Sequence, residues 1–410
     1  MINNKRILIV APYGFNDRMT NYIEFVSGRL LAKNGWSVKA ITRSENSKNS
    51  INNICGINVY RYKNILFGII DLLNILLFFR PKIIHIHNLR NNRLGIITAI
   101  LARIFFIHYI FTEYGLLHDH YLTDDREDPL NNIIHTERVI CNISQLIKKI
   151  IEKPKSFKYF VSSYIFHWPI THANSIVFVS KHNIPIAKEL KLPPSIYLPY
   201  IIDNYRWTAI DSSGKEVLEK IKNLTGVNVL FIGQMKLRKG WDILLKAIPF
   251  IPADVIEKFI IKTSTSGNES DEYSSMVDSF GIRERIVYLD KFFSNDILKK
   301  VYEASAFVVV PSRYEGFGLV PLEAFEMNKP VIASRIDALT DFLNDNENCL
   351  LVPSKDPQKL AEAIIKIAKD VGLQKKLIKG GNDTLNRLKS KEYEQKWLEY
   401  YNSLVGDTGR

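Results

Sequence analysis

VVVPSRYEGFGLVPLEAFEMNKPVIAS, running from Val308 to Ser334, decides the architecture. A continuous apolar run ends at Pro311, the pattern of a strand buried on both faces. A polar loop with Glu315, Gly316 and Gly318 follows, and a helix is predicted to start near Leu319. Pro321 is tolerated in the first turn of that helix because its missing amide would have no intrahelical partner. A second apolar run, Pro330 to Ala333, returns as the next strand. Amides at such a helix start bind anions, and the flanking glycines let phosphate oxygens approach the backbone. Glu323 lies about four residues into the helix, roughly 6 Å deeper at 1.5 Å per residue, a suitable reach from a diphosphate to a ribose hydroxyl. Glu315 sits on the loop, on the other side of the phosphates.

The same alternation extends outward in both directions. In the second half, VNVLFIGQ is a strand running into a polar loop, a helix follows at Trp241 to Ile248, and strands recur at Phe259 to Thr263, Ile286 to Leu289 and Phe307 to Val310. In the first half, a strand at Ile7 to Val10, a helix at Asn21 to Asn34 ended by Gly35, and a strand at Ser37 to Thr42 make a βαβ unit. Further strands are expected at Lys82 to His87, Ile107 to Thr112 and Ser175 to Ser180. The pattern predicts an α/β chain of two doubly wound halves, joined by a linker within Ile202 to Thr225. The stretch from Leu117 to Phe160 is read as an insertion bearing helices, with an acidic run at Asp124 to Asp128 and a basic helix-like run from Lys148 to Lys158. An amphipathic stretch, Glu392 to Leu404, comes last.

Two carboxylates beside a phosphate site would repel the ligand unless they accept hydrogen bonds from sugar hydroxyls while cations balance the charge. Lys239 is the candidate cation. It lies in GQMKLRKGWD, Gly233 to Asp242, at the first strand-to-helix turn of the second half, where doubly wound folds bind ligands, and Arg238 and Lys236 are placed to assist.

The chain has 410 residues, 46% hydrophobic and 24% charged, which excludes disordered and collagenous classes. Cys55, Cys141 and Cys349 are too widely spaced for a CxxC pair, so neither a zinc site nor a disulfide framework is expected, and a reducing cytoplasm fits. The apolar run after the basic start is too short for a secretory signal. ILFGIIDLLNILLFF, Ile65 to Phe79, is too short to cross a bilayer and carries Asp71 and Asn74. It is either a core helix or a helix lying partly in a membrane surface, with Arg80 and Lys82 at its end. The net charge of +12 comes from the first half, where residues 1–200 hold 25 Lys and Arg against 13 acidic residues. The cations are scattered and no nucleic-acid module is present, so nucleic acid is not the expected partner.

Strand, PS, EGFG and LEA, with glutamates eight positions apart, resembles the signature of retaining GT-B glycosyltransferases of the family 4 type, glycosyl transferases group 1. KRILIVAP, PKIIHIHN at Pro81 to Asn88, TEYG at Thr112 to Gly115, SIVFVSK at Ser175 to Lys181, LPYIID at Leu198 to Asp203 and LLVPSKDPQKLAEAI at Leu350 to Ile364 occur in the family's order. The resemblance implies two Rossmann-like domains facing each other across a cleft. Residues 1–205 would be the acceptor domain, with a helical insertion at about 117–165. Residues 206–388 would be the nucleotide-sugar domain, and residues 389–410 a helix crossing back to the first. Glu315 would contact the donor sugar and act in catalysis with Lys239, while Glu323 contacts the ribose. Gly233, Gln234, Arg238, Gly316, Phe317, Gly318, Leu319 and Val320 would complete the donor site. The amides of Gly318 and Leu319, with Lys239, would stabilise the departing diphosphate, so no metal and no cofactor is expected; the nucleotide diphosphate sugar, UDP- or GDP-linked, is a substrate.

The resemblance further implies transfer with retention to a glycan or lipid-linked acceptor in bacterial surface polysaccharide synthesis. The enzyme would work in the cytoplasm at the inner face of the cell membrane, against an anionic surface. Three departures bear on this. Gln234 stands where the family has an Arg, Tyr114 where it has a His, and a single glycine, Gly14, remains of the N-terminal glycine pair. The Gln234 and Tyr114 departures motivate an alternative, a non-catalytic GT-B subunit binding a partner enzyme or glycan. Gly14, His87, Tyr114 and His118 are the acceptor-side candidates, and His85 and His87 are read as pointing to opposite faces of their strand.

Overall fold

A computed structural model describes residues 5–12, 15, 22–44, 48–88, 92–114, 140–202, 215–263, 269–290 and 294–406. They fall into two units, one of residues 5–202 with 388–406, the other of residues 215–387.

The first unit is built on β1 (Arg6–Val10), β2 (Ser37–Arg43), β3 (Ser50–Ile54), β4 (Ile57–Tyr62), β5 (Ile83–His87), β6 (His108–Glu113), β7 (Ser175–Phe178) and β8 (Ser195–Tyr197), in the order β3-β4-β2-β1-β5-β6-β7-β8. All pairs are parallel except β3 with β4. β1 sets the register, with Leu8 opposite Lys39 on one side and Ile84 on the other. One face of the sheet contributes Leu8, Val10, Ile84, Ile86 and Phe111 to a core shared with Leu72, Ile75, Ala99 and Ile170 from the helices above it. The opposite face meets the helices Ile23–Lys33 and Lys391–Gly406. The latter is anchored by Trp397, whose Nε1 donates to Pro199 O at 2.8 Å, and by Tyr400, whose hydroxyl lies 2.6 Å from Ser175 Oγ.

The second unit holds β9 (Asn228–Ile232), β10 (Lys258–Lys262), β11 (Ile286–Leu289), β12 (Phe307–Val310), β13 (Val331–Ser334) and β14 (Leu350–Val352), all parallel, in the order β11-β10-β9-β12-β13-β14. Counted from its own first strand the order is 3-2-1-4-5-6, the Rossmann arrangement, with the winding direction reversing between β9 and β12. β9 and β12 are central and buried, so Val229, Phe231, Phe307 and Val309 form the middle of the core.

The structure changes several expectations. The linker region 202–225 contains a helix, Lys215–Lys222. The basic run is not one helix: Ile143–Glu152 ends before Pro154, which cannot continue it, and Phe157–Thr171 begins anew. Of the expected insertion, residues 117–139, with the acidic run, lie outside the described residues, and the remainder carries the helix Ile143–Glu152 and the start of Phe157–Thr171. Ile65–Phe79 forms an α-helix to Asn74 and a π-helical turn to Phe79. Gly68, Leu72, Ile75 and Leu76 are buried, so the core reading holds for one side of this helix only. Among the described residues no helix is long and apolar enough to cross a membrane.

Candidate active site

The loops after β9 and β12 leave neighbouring strands at the point where the winding reverses, the place at which this fold opens a crevice. Lys239 ends a 3-10 turn, Leu237–Lys239, and Glu315 lies in the loop before the helix Leu319–Glu326. Lys239 Nζ donates to both carboxylate oxygens of Glu315 at 2.7 Å. Ser312 Oγ donates to Oε1 at 2.8 Å, and Arg238 Nη1 stands 3.9 Å from Oε2. Burial pushes the Glu315 carboxyl up, but Lys239, Arg238 and the Ser312 hydroxyl outweigh it and hold it below the usual glutamate range. The cluster of one carboxylate and two cations therefore carries a surplus positive charge while most of it is out of water.

Arg313 ties the two loops together. Its backbone amide donates to Arg238 O at 2.8 Å and its guanidinium grips Asp242 at 2.6 and 2.8 Å. Burial raises Asp242, yet the Arg313 pair holds its carboxyl low. The guanidinium of Arg238 lies over the Tyr314 ring, 5.8 Å from its centroid.

The other donor candidates sit around this cluster. Gly318 caps the helix with φ +90°, a conformation that L side chains rarely adopt, and a Cβ there would stand 2.4 Å from Leu339 Cδ2, so the Leu339 side chain would have to shift as well. Leu319 and Val320 form the first turn, whose amides have no partner four residues earlier in the helix. Phe317 stacks on Phe342 with centroids 5.0 Å apart. Gly316 is half-buried on the loop, and Gly233 donates its amide to Lys262 O at 3.1 Å. Gln234 is exposed on the turn after β9. Glu323 is buried, and Tyr302 donates its hydroxyl to Glu323 Oε2 at 2.8 Å.

In the first unit the structure corrects the reading of β5. His85 and His87 share a face, their ring centroids 3.8 Å apart, because residues two apart complete one period of the pleat. His85 is held by the Tyr401 hydroxyl and Thr112 Oγ1, each at 2.7 Å. His87 Nδ1 meets the Tyr114 hydroxyl at 2.5 Å, and that hydroxyl donates to Glu24 Oε2 at 2.5 Å. Burial lowers His85 to about 3, and burial with His85 nearby lowers His87. Burial pushes Glu24 up to about 7 against the opposing Tyr114 hydrogen bond. Gly14 and His118 lie outside the described residues.

Sequence reasoning missed Ser312, Arg313, Asp242, Tyr302 and Glu24. Glu24 carried a readable signal, a lone carboxylate amid the apolar positions of the helix after β1. The others meet their partners only through strand order.

Comparison with known proteins places this arrangement. Residues 226–370 match the family model of the glycosyl transferases group 1. The fold is GT-B in class, with two Rossmann-like sheets. Over 150 residues, 37% of this chain, the sequence is 31% identical to an uncharacterized glycosyltransferase of Methanocaldococcus jannaschii; the match spans 38% of that protein's length. Sucrose-phosphate synthase from Thermosynechococcus elongatus superposes with a TM-score of 0.73 at 19% identity, covering 98% of this chain and all of that one. Anabaena HepE, solved in complex with UDP, gives 0.66 at 13% identity, covering 97% of this chain and 100% of the other.

Proposed function

We propose that the protein is a retaining glycosyltransferase that moves a sugar from a UDP- or GDP-linked donor to a glycan or lipid-linked acceptor in bacterial surface polysaccharide synthesis. It works in the cytoplasm at the inner face of the membrane. The observation that carries the reading is the Lys239–Glu315 pair at the β9/β12 reversal, beside the start of the helix Leu319–Glu326. The HepE complex with UDP supports a nucleotide donor.

The arrangement suits departure of a diphosphate. The surplus charge of Lys239 and Arg238 over Glu315, with the amides of Gly318, Leu319 and Val320, faces the charge that develops as the bond from the sugar carbon to the diphosphate breaks. The acceptor hydroxyl forms its bond to the same carbon on the face the diphosphate leaves, and its proton passes to the departing oxygen. Glu315, kept ionised by its cations, accepts hydrogen bonds from the sugar hydroxyls, and Glu323, oriented by Tyr302, accepts from the ribose. With these donors meeting the diphosphate, the reading uses no metal and no cofactor. Residues 206–388 are thus the donor domain, and residues 1–205 with residues 389–410, which carry the helix Lys391–Gly406, the acceptor domain.

The test is nucleotide release from UDP- and GDP-sugars in the presence of membrane lipid extract. Release by the wild type that is lost in Glu315→Gln supports the reading. Absence of release with every donor would transfer the weight to the non-catalytic GT-B subunit, a reading favoured by Tyr114 being engaged with Glu24 and His87.

A further inference from the structure

The exposed large apolar side chains are not spread over the molecule. Among the described residues only Tyr22, Ile51, Ile196, Phe250, Phe280 and Val371 lie outside one group of four helices and their caps. The group consists of Ile65–Phe79, Arg93–Ile104, Phe157–Thr171 and Ile143–Glu152, each packed against the next in that order. This layer covers one face of the first sheet, and its inner sides supply the core.

The outer sides break the usual rule for a surface helix, which turns polar residues to water. On the first helix Leu66, Ile70 and Leu77 are exposed opposite the buried Leu72 and Leu76, and Phe78 is 82% exposed. Phe106, just past the end of the second helix, is 97% exposed at φ +55°. On Ile143–Glu152, Ile147 and Ile151 are exposed while Leu146 faces inward. An apolar surface on four adjoining helices is larger than a soluble face leaves uncovered without a use.

The charge on the layer says what covers it. Residues 63–82, 93–106 and 143–171 hold ten Lys and Arg, against Asp71 and Glu152 as the only acidic residues. Lys153, Lys155 and Lys158 are exposed beside Phe157, and Arg80 and Arg103 are exposed at the ends of the first two helices. Two copies of this face set against each other would bring like charge onto like charge. Apolar side chains flanked by cations match a surface whose interior is hydrocarbon and whose edge is anionic.

We propose that this four-helix layer is the face with which the protein docks on an anionic phospholipid bilayer, the exposed Leu, Ile and Phe entering the interface and the Lys and Arg meeting the headgroups. This deepens the membrane-side reading above and rests on it for the location of the acceptor. A vesicle assay needs no donor, so its failure is distinct from failure of the transferase assignment, which nucleotide release tests.

The full chain is sedimented with vesicles of phosphatidylcholine alone and of phosphatidylcholine with phosphatidylglycerol. Expected is binding to the anionic vesicles only, weakened but not abolished by high salt. The exposed-site double variant Phe78→Glu/Phe106→Glu should bind about tenfold more weakly at any salt, and Lys153→Glu/Lys155→Glu should lose the low-salt component. Circular dichroism checks that both keep the fold, and Phe78→Ser/Phe106→Ser replaces the first pair if it does not. Lack of wild-type binding to anionic vesicles at low salt would overturn the proposal, as would equal binding by both double variants. Dimerisation in lipid-free sedimentation velocity that the Phe78→Glu/Phe106→Glu change abolishes would overturn it in favour of a second copy.

Discussion

Gly240 lies against the backbone carbonyl of Pro311 so closely that a Cβ on it would stand 1.8 Å from the Pro311 oxygen, and its φ is +72°. The turn after β9 and the loop after β12 are therefore in backbone contact, and Lys239, one residue earlier, is delivered to Glu315 by that contact. Gly240→Ala would need the two loops to separate.

Gly240→Ala should destabilise the second unit by about 3 kcal/mol, through steric overlap with backbone and a positive φ that alanine resists. Donor-dependent nucleotide release should fall with it. A melting temperature and urea midpoint unchanged from wild type would show that the loops are not held in contact.

Removing the cation is predicted to be worse for stability than removing the pair. Lys239→Ala leaves the buried Glu315 charge to Arg238 and Ser312 and should cost about 3 kcal/mol at neutral pH, while Lys239→Ala/Glu315→Ala should recover part of that. Because the folded carboxyl of Glu315 is held below its usual 4.5, its stabilisation is present above that value and is lost as pH falls through the folded value. The acid side of the stability profile should thus flatten in Lys239→Ala. A strictly additive double-mutant cycle by urea unfolding would sever the coupling.

Tyr302→Phe removes the hydrogen bond that orients Glu323 without changing the ring. If Glu323 binds the ribose, the donor KM should rise about tenfold with kcat close to wild type, since one hydrogen bond to a charged group contributes roughly 1.5 kcal/mol. A fall in kcat at constant KM would assign Glu323 to the chemical step instead.

Glu24 predicts a pH dependence of opposite sign to Glu315. Its folded pKa, about 7, lies above the ordinary value of 4.5, so the folded state holds the proton more tightly. That stabilisation is complete below pH 4.5 and is lost as pH rises through about 7, a change on the order of 3 kcal/mol. Glu24→Gln should remove this fall from urea midpoints measured between pH 4.5 and 8. Parallel profiles for the two proteins would refute the assignment.

The second sheet was legible because each strand is a short continuous apolar run followed by a polar loop, as in FVVV before PSRYEG. The edge pair β3 and β4 was not, because SINNICGINVY lacks such a run and is held by antiparallel pairing, Asn52 opposite Val59. The helix Val371–Leu388 also went unread, its start hidden directly behind the helix Pro357–Lys369. In the candidate site, Glu315 and Lys239 stood out in sequence as charged residues beside Gly316 and Gly240, and Glu323 by its place in the helix that follows. That Glu315 and Lys239 bind each other was not legible: the two carry opposite charges but are 76 positions apart.

What this sequence determined by itself is whatever depends on near neighbours. Apolar period made the strands and helices, Gly240 and Gly318 supplied the positive φ that their turns require, and the uneven charge set the first half apart from the second. What only the tertiary structure decided is which side chains meet. Arg313 finds Asp242, Tyr114 finds Glu24, and four helices align their apolar outer sides, because strand order brings together residues that no local periodicity links.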